Sequence, residues 1–335
     1  MNIFDRLGET RANIAFAREY TLELQEQGRR LMKTGKTISR ICEVCGSPQQ
    51  EDRFMAPVYD FVACRNCGFV YAKSILGEEA MDKFYRHDEV AQRSWSKQLE
   101  RLEANPNTTQ YPGLVTRIMK NVRGRERALD FGCGQGEFLY ELKGHFRKVI
   151  GVELGKEQAE TARRKFGVEV LEGDIGSLGL QKESFDLICM NQVIEHLPRV
   201  NDVLKKLVQL LKPEGVLAIT CPNLDSWSMR IFREKHSHVN TQVHVNMFSP
   251  KTIEKLALRH GLKKRQVGTY MLDTTLIDLA YLIFAKKSFM HRCNFNILLY
   301  PPSWLLEKAV NKANEISNNV LMGSSGSYIE AIFMK

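Results

Sequence analysis

The sequence predicts an α/β protein, in which a parallel sheet covered by helices on both faces follows a small cysteine module. Three observations carry that expectation. From about Arg127, short apolar runs alternate with helical patterns, as βαβ units require. A glycine-rich turn at Gly132, Gly134 and Gly136 follows the first apolar run, where a strand gives way to a helix. Upstream, four of the eight cysteines form two close pairs, Cys42 with Cys45 and Cys64 with Cys67.

Composition narrows the class. At about 150 residues per domain, 335 residues hold roughly two domains. With 43% hydrophobic and 26% charged residues, a low-complexity disordered chain is excluded. No run of 18 apolar residues exists, and the greasiest stretch, 296–306, is broken by Pro301 and Pro302, so no transmembrane span is expected. Asp5, Glu9, Glu19, Glu23 and Glu26 argue against a secretory signal or transit peptide. The expected compartment is reducing cytoplasm. A net charge of +9 and a pI near 9.1 admit nucleic acid, anionic lipid or a phosphorylated substrate without selecting one. The basic clusters Arg29-Arg30, Arg163 to Lys165 and Lys263 to Arg265 are short and dispersed, so nucleic acid is not required.

In chain order, residues 1–40 read as a helical segment, with a helix from about Glu9 to Met32 whose end Gly28 and Gly35 mark. Residues 41–77 hold the cysteine module, with short strands at 58–63 and Phe69 to Tyr71. Residues 78–120 form a polar helical linker broken by Asn105-Pro-Asn-Thr-Thr. Residues 121–271 are the sheet domain. Its strands are predicted at Ala128 to Phe131, Lys148 to Glu153, Val168 to Leu171, Phe185 to Met190, Val216 to Thr220 and Lys263 to Tyr270. Leu197, Val200, Leu204, Leu207, Val208 and Leu211 recur at helical spacing until Lys212-Pro-Glu-Gly stops them, and a further helix runs from Thr252 to His260. Residues 272–325 are too long for a hairpin and predict a helical insertion. Its apolar positions read as core, a lipid-linked acceptor or a dimer contact being the sharper alternative. Residues 326–335 supply the last strand. Oligomeric state is not encoded in these patterns.

Each cysteine pair is Cys-x-x-Cys-Gly, and 18 residues separate the pairs, the spacing of a zinc ribbon. Four thiolates close a tetrahedral zinc and leave no position for catalysis, which makes one structural zinc the expectation. Gly46 and Gly68 permit the tight knuckle. The alternative is two disulfides or four unrelated thiols.

The glycine loop reads Asp-x-Gly-x-Gly-x-Gly from Asp130, with its third glycine one position early for the dinucleotide fingerprint. Asp130, at a strand end, suits a cationic amino group rather than a pyrophosphate. Glu153 ends the next strand, 21 residues after Gly132, where an acid accepts ribose hydroxyls. Asp174 follows the third strand, where an acid accepts an adenine amino group. Amine, ribose and adenine together describe S-adenosylmethionine.

Taken with Gly-Val-Glu, Gly-Asp-Ile, Phe-Asp-Leu-Ile-Cys-Met-Asn-Gln-Val-Ile-Glu-His-Leu and Leu-Leu-Lys-Pro-Glu-Gly, this chain resembles the class I S-adenosylmethionine-dependent methyltransferases over about residues 110–270 and the final strand. The resemblance implies a Rossmann-like seven-stranded sheet with one antiparallel strand near its edge. It also implies that Asp130, Gly132, Cys133, Gly134 and Gly136 hold the methionine part, Glu153 the ribose, and Asp174 with Ile175 the adenine. Asn191 would line the same pocket. The cysteine module, followed by an acidic helix with Phe84-Tyr85, resembles the front end of small-molecule methyltransferases of sugar, polysaccharide and natural-product pathways. A sugar-nucleotide or lipid-linked acceptor falls within that range.

Glu195-His196 follows the fourth strand, on the rim where an acceptor meets the methyl donor. A histidine there can take a proton near neutrality, and Glu195 can orient its ring. In related sugar C-methyltransferases a Glu-His pair here is implicated in proton removal. In quinone-pathway O-methyltransferases Glu-x-x-Glu-His binds a divalent ion, but this chain has Gln192 at the first acid. The bland alternative is a histidine that shapes the turn. His244, in His-Val-Asn-Met-Phe-Ser-Pro, resembles a substrate-side segment and is a second acid–base or substrate-contact candidate, while His236 and His238 read as solvated loop histidines. The expected activity is methyl transfer to a small molecule. The rivals are an RNA base methyltransferase and a non-catalytic zinc-ribbon scaffold.

Overall fold

The computed structural model describes residues 22–87, 111–236, 239, 243–270 and 326–335. Expectations for residues 1–21, the breaker at 105–109, His238 and the insertion at 272–325 lie outside the described residues.

Helix α1 spans 22–34, runs through Gly28 and ends at Gly35, whose N–H reaches Leu31 O at 2.7 Å. The helix thus runs past Gly28 to an end close to the one expected near Met32. One interior glycine costs only about 1 kcal/mol, less than burial of a leucine such as Leu24 returns. Strand β1 (Thr37–Ser39) pairs with β5 (Ser74–Leu76), enclosing an antiparallel meander of β2 (Gln50–Met55), β3 (Asp60–Cys64) and β4 (Val70–Ala72). Helix α2 (Glu78–His87) follows, and α3 (Pro112–Met119) leads into the main sheet.

The rest of the chain alternates as the pattern predicts. β6 (Arg127–Phe131), α4 (Glu137–Lys143), β7 (Lys148–Glu153), α5 (Lys156–Phe166), β8 (Glu169–Glu172), β9 (Phe185–Asn191), α6 (Val200–Leu210) and β10 (Leu211–Pro222) come in turn. After α7 (Trp227–Phe232) come β11 (Asn246–Met247), α8 (Pro250–Arg259), β12 (Lys263–Tyr270) and β13 (Tyr328–Met334). Seven strands form one mixed sheet in the order β12-β13-β10-β9-β6-β7-β8, with β13 antiparallel to both its neighbours.

Successive residues of each central strand face opposite layers. Leu129, Ile188 and Leu217 pack with Leu204 and Leu207 of α6 and Ile253 and Leu256 of α8. Ala128, Leu187 and Ala218 pack with α3, α4 and α5 on the other side. Both faces are covered, which is why these strands read as continuous apolar runs. One strand in from the β12 edge, Arg117 of α3 meets Glu330 of β13 at 2.7 Å, and both side chains are buried. Breaking such a pair from one side costs about 3–5 kcal/mol.

The cysteine module is not a separate unit. Strand β11 adds to β4, so a segment from beyond the main sheet's fifth parallel strand completes the module's four-stranded sheet. The Phe69 and Phe248 rings lie 4.9 Å apart, and Val44, Phe69 and Tyr71 share one contiguous core with Ile253 and Leu256. Glu43 accepts hydrogen bonds from the Asn201 backbone (3.1 Å) and side chain (2.8 Å) at the start of α6, where the helix dipole favours a carboxylate. Boundaries at 41 and 77 thus cut across hydrogen-bonded pairs: β1 begins the module earlier and β11 finishes it much later.

Candidate active site and cysteine centre

The carboxyl edge of β6 and β7 forms one half of the site. Gly132, Gly134 and Gly136 all take left-handed backbone, which L side chains resist. They serve different ends. A Cβ on Gly132 would strike Val193 at 2.6 Å and one on Gly136 would strike Ala162 at 2.7 Å, whereas Gly134 faces open space. Only Gly134 leaves room for a ligand against bare backbone; the other two allow the loop to pack. The Cys133 side chain lies over Gly151, so its backbone alone faces the loop.

Asp130 is 1% exposed, and neither of its carboxylate oxygens has a hydrogen-bond partner. Burial, then the nearby Glu153, push its pKa up to about 8. A buried carboxyl without a partner is costly until a donor arrives; a cationic amino group fits that need. Glu153 Oε2 accepts the Gly134 N–H at 2.8 Å, and Oε1 accepts those of Leu154 (2.8 Å) and Gly155 (2.9 Å). Burial still pushes its pKa upward. One carboxylate therefore fixes the glycine loop and closes the β7 end. Asp174 stands further out on the rim, paired to Lys206 at 3.3 Å, and Ile175 is buried behind it. Asn191 Oδ1 accepts the Thr220 hydroxyl at 2.5 Å, and its side chain also bonds Tyr111.

The other half follows β9. The chain turns at Gln192, a non-glycine with φ of 57°, and enters a single 3₁₀ turn, Ile194–His196. Such a backbone is strained and persists only where its surroundings hold it. Here the Gln192 N–H bonds Thr220 O at 3.0 Å. Glu195 is 2% exposed, Oε2 has no partner, and burial raises its pKa to about 8. His196 is pushed well below the ordinary imidazole range by burial and then by His244. The two imidazoles meet edge to face with centroids 4.6 Å apart. Glu195 Oε1 lies 3.9 Å from His196 Nε2, beyond hydrogen-bond range, so the expected orienting bond is not made. His236 is also corrected: it is buried, with Nε2 2.8 Å from the Ser228 hydroxyl, and packs beneath α7 instead of lying in solvent.

At the module, Cys45 lies 3.6 Å from Cys42 and 3.4 Å from Cys64, and Cys42 lies 3.5 Å from Cys67, sulfur to sulfur. A tetrahedron of Zn–S bonds of about 2.3 Å has sulfur–sulfur edges of about 3.8 Å, while a disulfide would bring sulfurs to about 2 Å. The four are free thiols at metal-ligand spacing. Gly46 and Gly68, both with positive φ, return their N–H groups to Cys42 O (2.7 Å) and Cys64 O (2.8 Å). Backbone N–H groups of Cys45, Ser47 and Phe69 point at sulfurs of Cys42, Cys45 and Cys67. The donor set fits a tetrahedral ion.

Sequence reasoning missed Tyr111, Arg40 and Asn246. Tyr111 touches Asn191, and burial, then Glu137, raise its pKa to about 12. It has no spacing relation to the loop that could have flagged it. Arg40 and Asn246 reach the 3₁₀ turn from distant segments.

The chain belongs to the methyltransferase-domain family, whose model matches residues 87–267, more than half of its length. It is an S-adenosylmethionine-dependent methyltransferase. It is 25% identical over 210 residues to the malonyl-[acyl-carrier protein] O-methyltransferase of Enterobacter lignolyticus, a match covering 62% of this chain and 74% of that protein. It is 32% identical over 139 residues to the ubiquinone biosynthesis O-methyltransferase of Nitrosococcus oceani, covering 39% of this chain and 57% of that one. Among solved structures, phosphoethanolamine N-methyltransferase 2 of Haemonchus contortus, in complex with S-adenosylmethionine, superposes with a TM-score of 0.50 at 16% identity. That match covers 82% of this chain and 64% of that one, and speaks to the fold. Among the described residues, no helix is long and apolar enough to cross a membrane.

Proposed function

We propose that the protein transfers a methyl group to a small-molecule acceptor of the sugar, polysaccharide-precursor or natural-product kind, with His196 as general base, and that Cys42, Cys45, Cys64 and Cys67 hold one structural zinc. The observation that carries the reading is the pairing of a donor half with a proton-accepting half on one sheet edge. Asp130 offers a buried carboxylate to an amino group, and Gly134 offers bare backbone. Glu153 has its ribose-facing position at the β7 end, and Asp174 with Ile175 stands where adenine would lie. Asn191 lines the pocket between the halves.

S-adenosylmethionine supplies an electrophilic methyl group on a sulfonium. Everything else falls to this chain. Its depressed pKa keeps the His196 imidazole neutral at pH 7, ready to accept a proton from an acceptor hydroxyl or an enolisable carbon. Glu195, with a pKa near 8, is protonated at that pH and acts as a neutral donor beside the base. His244 closes the far side of His196 and is placed to contact the acceptor. Four thiols held close without disulfides suit a reducing cytoplasm. A second reading has one observation in its favour: donor atoms of Glu195, His196 and His244 all lie within 4.8 Å of one another, a spacing that could hold a divalent ion.

The test is incubation with methyl-tritiated S-adenosylmethionine and separated fractions of a cell extract. Label should enter the protein-free, RNA-free small-molecule fraction, and His196→Ala should abolish it. Label confined to RNA would overturn the acceptor class. Metal analysis of wild type and His244→Ala separates the readings: one zinc in both supports the base, and a second ion lost from the variant supports the cation site.

A further inference from the structure

We propose that Arg40 is a positioning residue for the candidate base, joining the cysteine module to the turn that carries Glu195 and His196. The proposal rests on the function given above and deepens it. Arg40 stands two residues before Cys42 and is 9% exposed. Its backbone N–H bonds Lys73 O at 3.0 Å, which ties it to the module sheet, and its guanidinium lies over the Tyr71 ring at 5.6 Å. From there Nη1 donates to Val245 O at 2.9 Å, and Nη2 donates to Asn246 Oδ1 at 2.7 Å and Pro198 O at 3.2 Å.

Those acceptors belong to the two segments that make the base. Val245 follows His244, and its N–H bonds Glu195 O at 2.9 Å. Asn246 Nδ2 donates to Ile194 O at 3.1 Å and Leu197 O at 2.8 Å, at the start of the 3₁₀ turn and just past its end. Pro198 stands just beyond that turn. One planar guanidinium thus sets the distance between the His196 segment and the His244 segment, and Asn246 passes the constraint to both ends of the turn. A fork with several fixed donors can do this; a lysine ammonium can reach only part of the set. Nothing in this arrangement touches Asp130, Gly134 or Glu153. Arg40 should therefore govern acceptor chemistry while sparing donor binding.

The experiment uses the full chain, labelled at histidine, with S-adenosylmethionine present. Imidazole signals are assigned through His196→Asn and His244→Asn. Arg40→Met keeps the stem and removes every donor. It should shift both imidazole signals and remove the cross-peak between the rings, while calorimetric affinity for S-adenosylmethionine stays within about twofold. With an acceptor in hand, kcat should drop by up to about 10²-fold at constant KM for the methyl donor, the scale of a misplaced catalytic group. Arg40→Lys should fall between wild type and Arg40→Met, and it carries the same comparison if Arg40→Met does not fold. Unchanged imidazole signals in a folded Arg40 variant would overturn the proposal. So would donor affinity falling in step with the imidazole shifts, since that marks a general structural role. Failure of the wild-type chain to bind S-adenosylmethionine would instead overturn the donor-site assignment, leaving the imidazole comparison to stand by itself.

Discussion

The two halves of the sheet edge are built by opposite means. On the donor half, Asp130, Gly134 and Glu153 lie within 24 positions of one another at the ends of β6 and β7, and backbone N–H groups of the same stretch hold the Glu153 carboxylate. On the acceptor half, Glu195 and His196 come from one segment and His244 from another, joined by Asn246 and, through Arg40, to the cysteine module. In the proposed function, local strand-end chemistry would receive the methyl donor, while presenting a base to an acceptor would take a tertiary assembly. In this arrangement the acceptor can change without disturbing the donor.

The contrast can be broken at four points. Removing one sulfur, as in Cys64→Ser, should have the largest effect, because structural zinc contributes about 10–16 kcal/mol in small metal-dependent folds. The module shares its core with Ile253 and Leu256, so thermal unfolding should show one lowered transition for module and sheet together, with metal content falling from one per chain to none. Two separate transitions would mean that the units fold independently after all.

His196→Ala comes next. Turnover should fall by roughly 10²–10⁴-fold, with donor affinity retained. Because burial holds the His196 pKa well below 6.5, wild-type activity should persist below that pH and decline only once the ring protonates. Near-normal kcat in the variant would move the base to His244 or point to an amine acceptor.

Glu153→Ala attacks the other half. Lost hydrogen bonds to charged groups cost ~1.5–3 kcal/mol each, so affinity for S-adenosylmethionine should fall at least tenfold in calorimetry. The loss extends past ribose contacts, since Glu153 also fastens Gly134. The His196–His244 imidazole signals should not move.

The smallest effect is a proton. Asp130 has a folded pKa of about 8 against 3.8 for a free carboxyl, so without ligand it is protonated at pH 7, and through this group the ligand-free fold loses stability as pH rises from about 4 to 8. A cationic amino group pulls that pKa down. Binding at pH 7 should then release up to about one proton, visible as buffer-dependent binding enthalpy, and Asp130→Asn should abolish the release.

What was legible in the sequence follows the same divide. The inner parallel strands β6, β7, β9 and β10 showed themselves because both faces are buried, and the acidic strand ends stood next to a glycine loop of distinctive spacing. Strand β2 did not: Gln-Glu-Asp-Arg-Phe-Met has no apolar alternation, and pairing with β3 alone makes it a strand. Two-residue β11 is too short for any periodicity. Arg40 looked like one more basic residue, since its three acceptors lie more than 150 positions away.

Strand β11 also imposes an order of manufacture. β4 emerges from synthesis about 175 residues before its partner, Asn246–Met247. At 5–20 residues per second, its outer edge waits roughly 9–35 s. An unpaired strand edge is a template for the wrong neighbour. During that interval the nascent module is metal-competent at its cysteines yet unfinished at its border. A fragment ending near residue 77 would remain in that state permanently, and it should self-associate more than the full chain does.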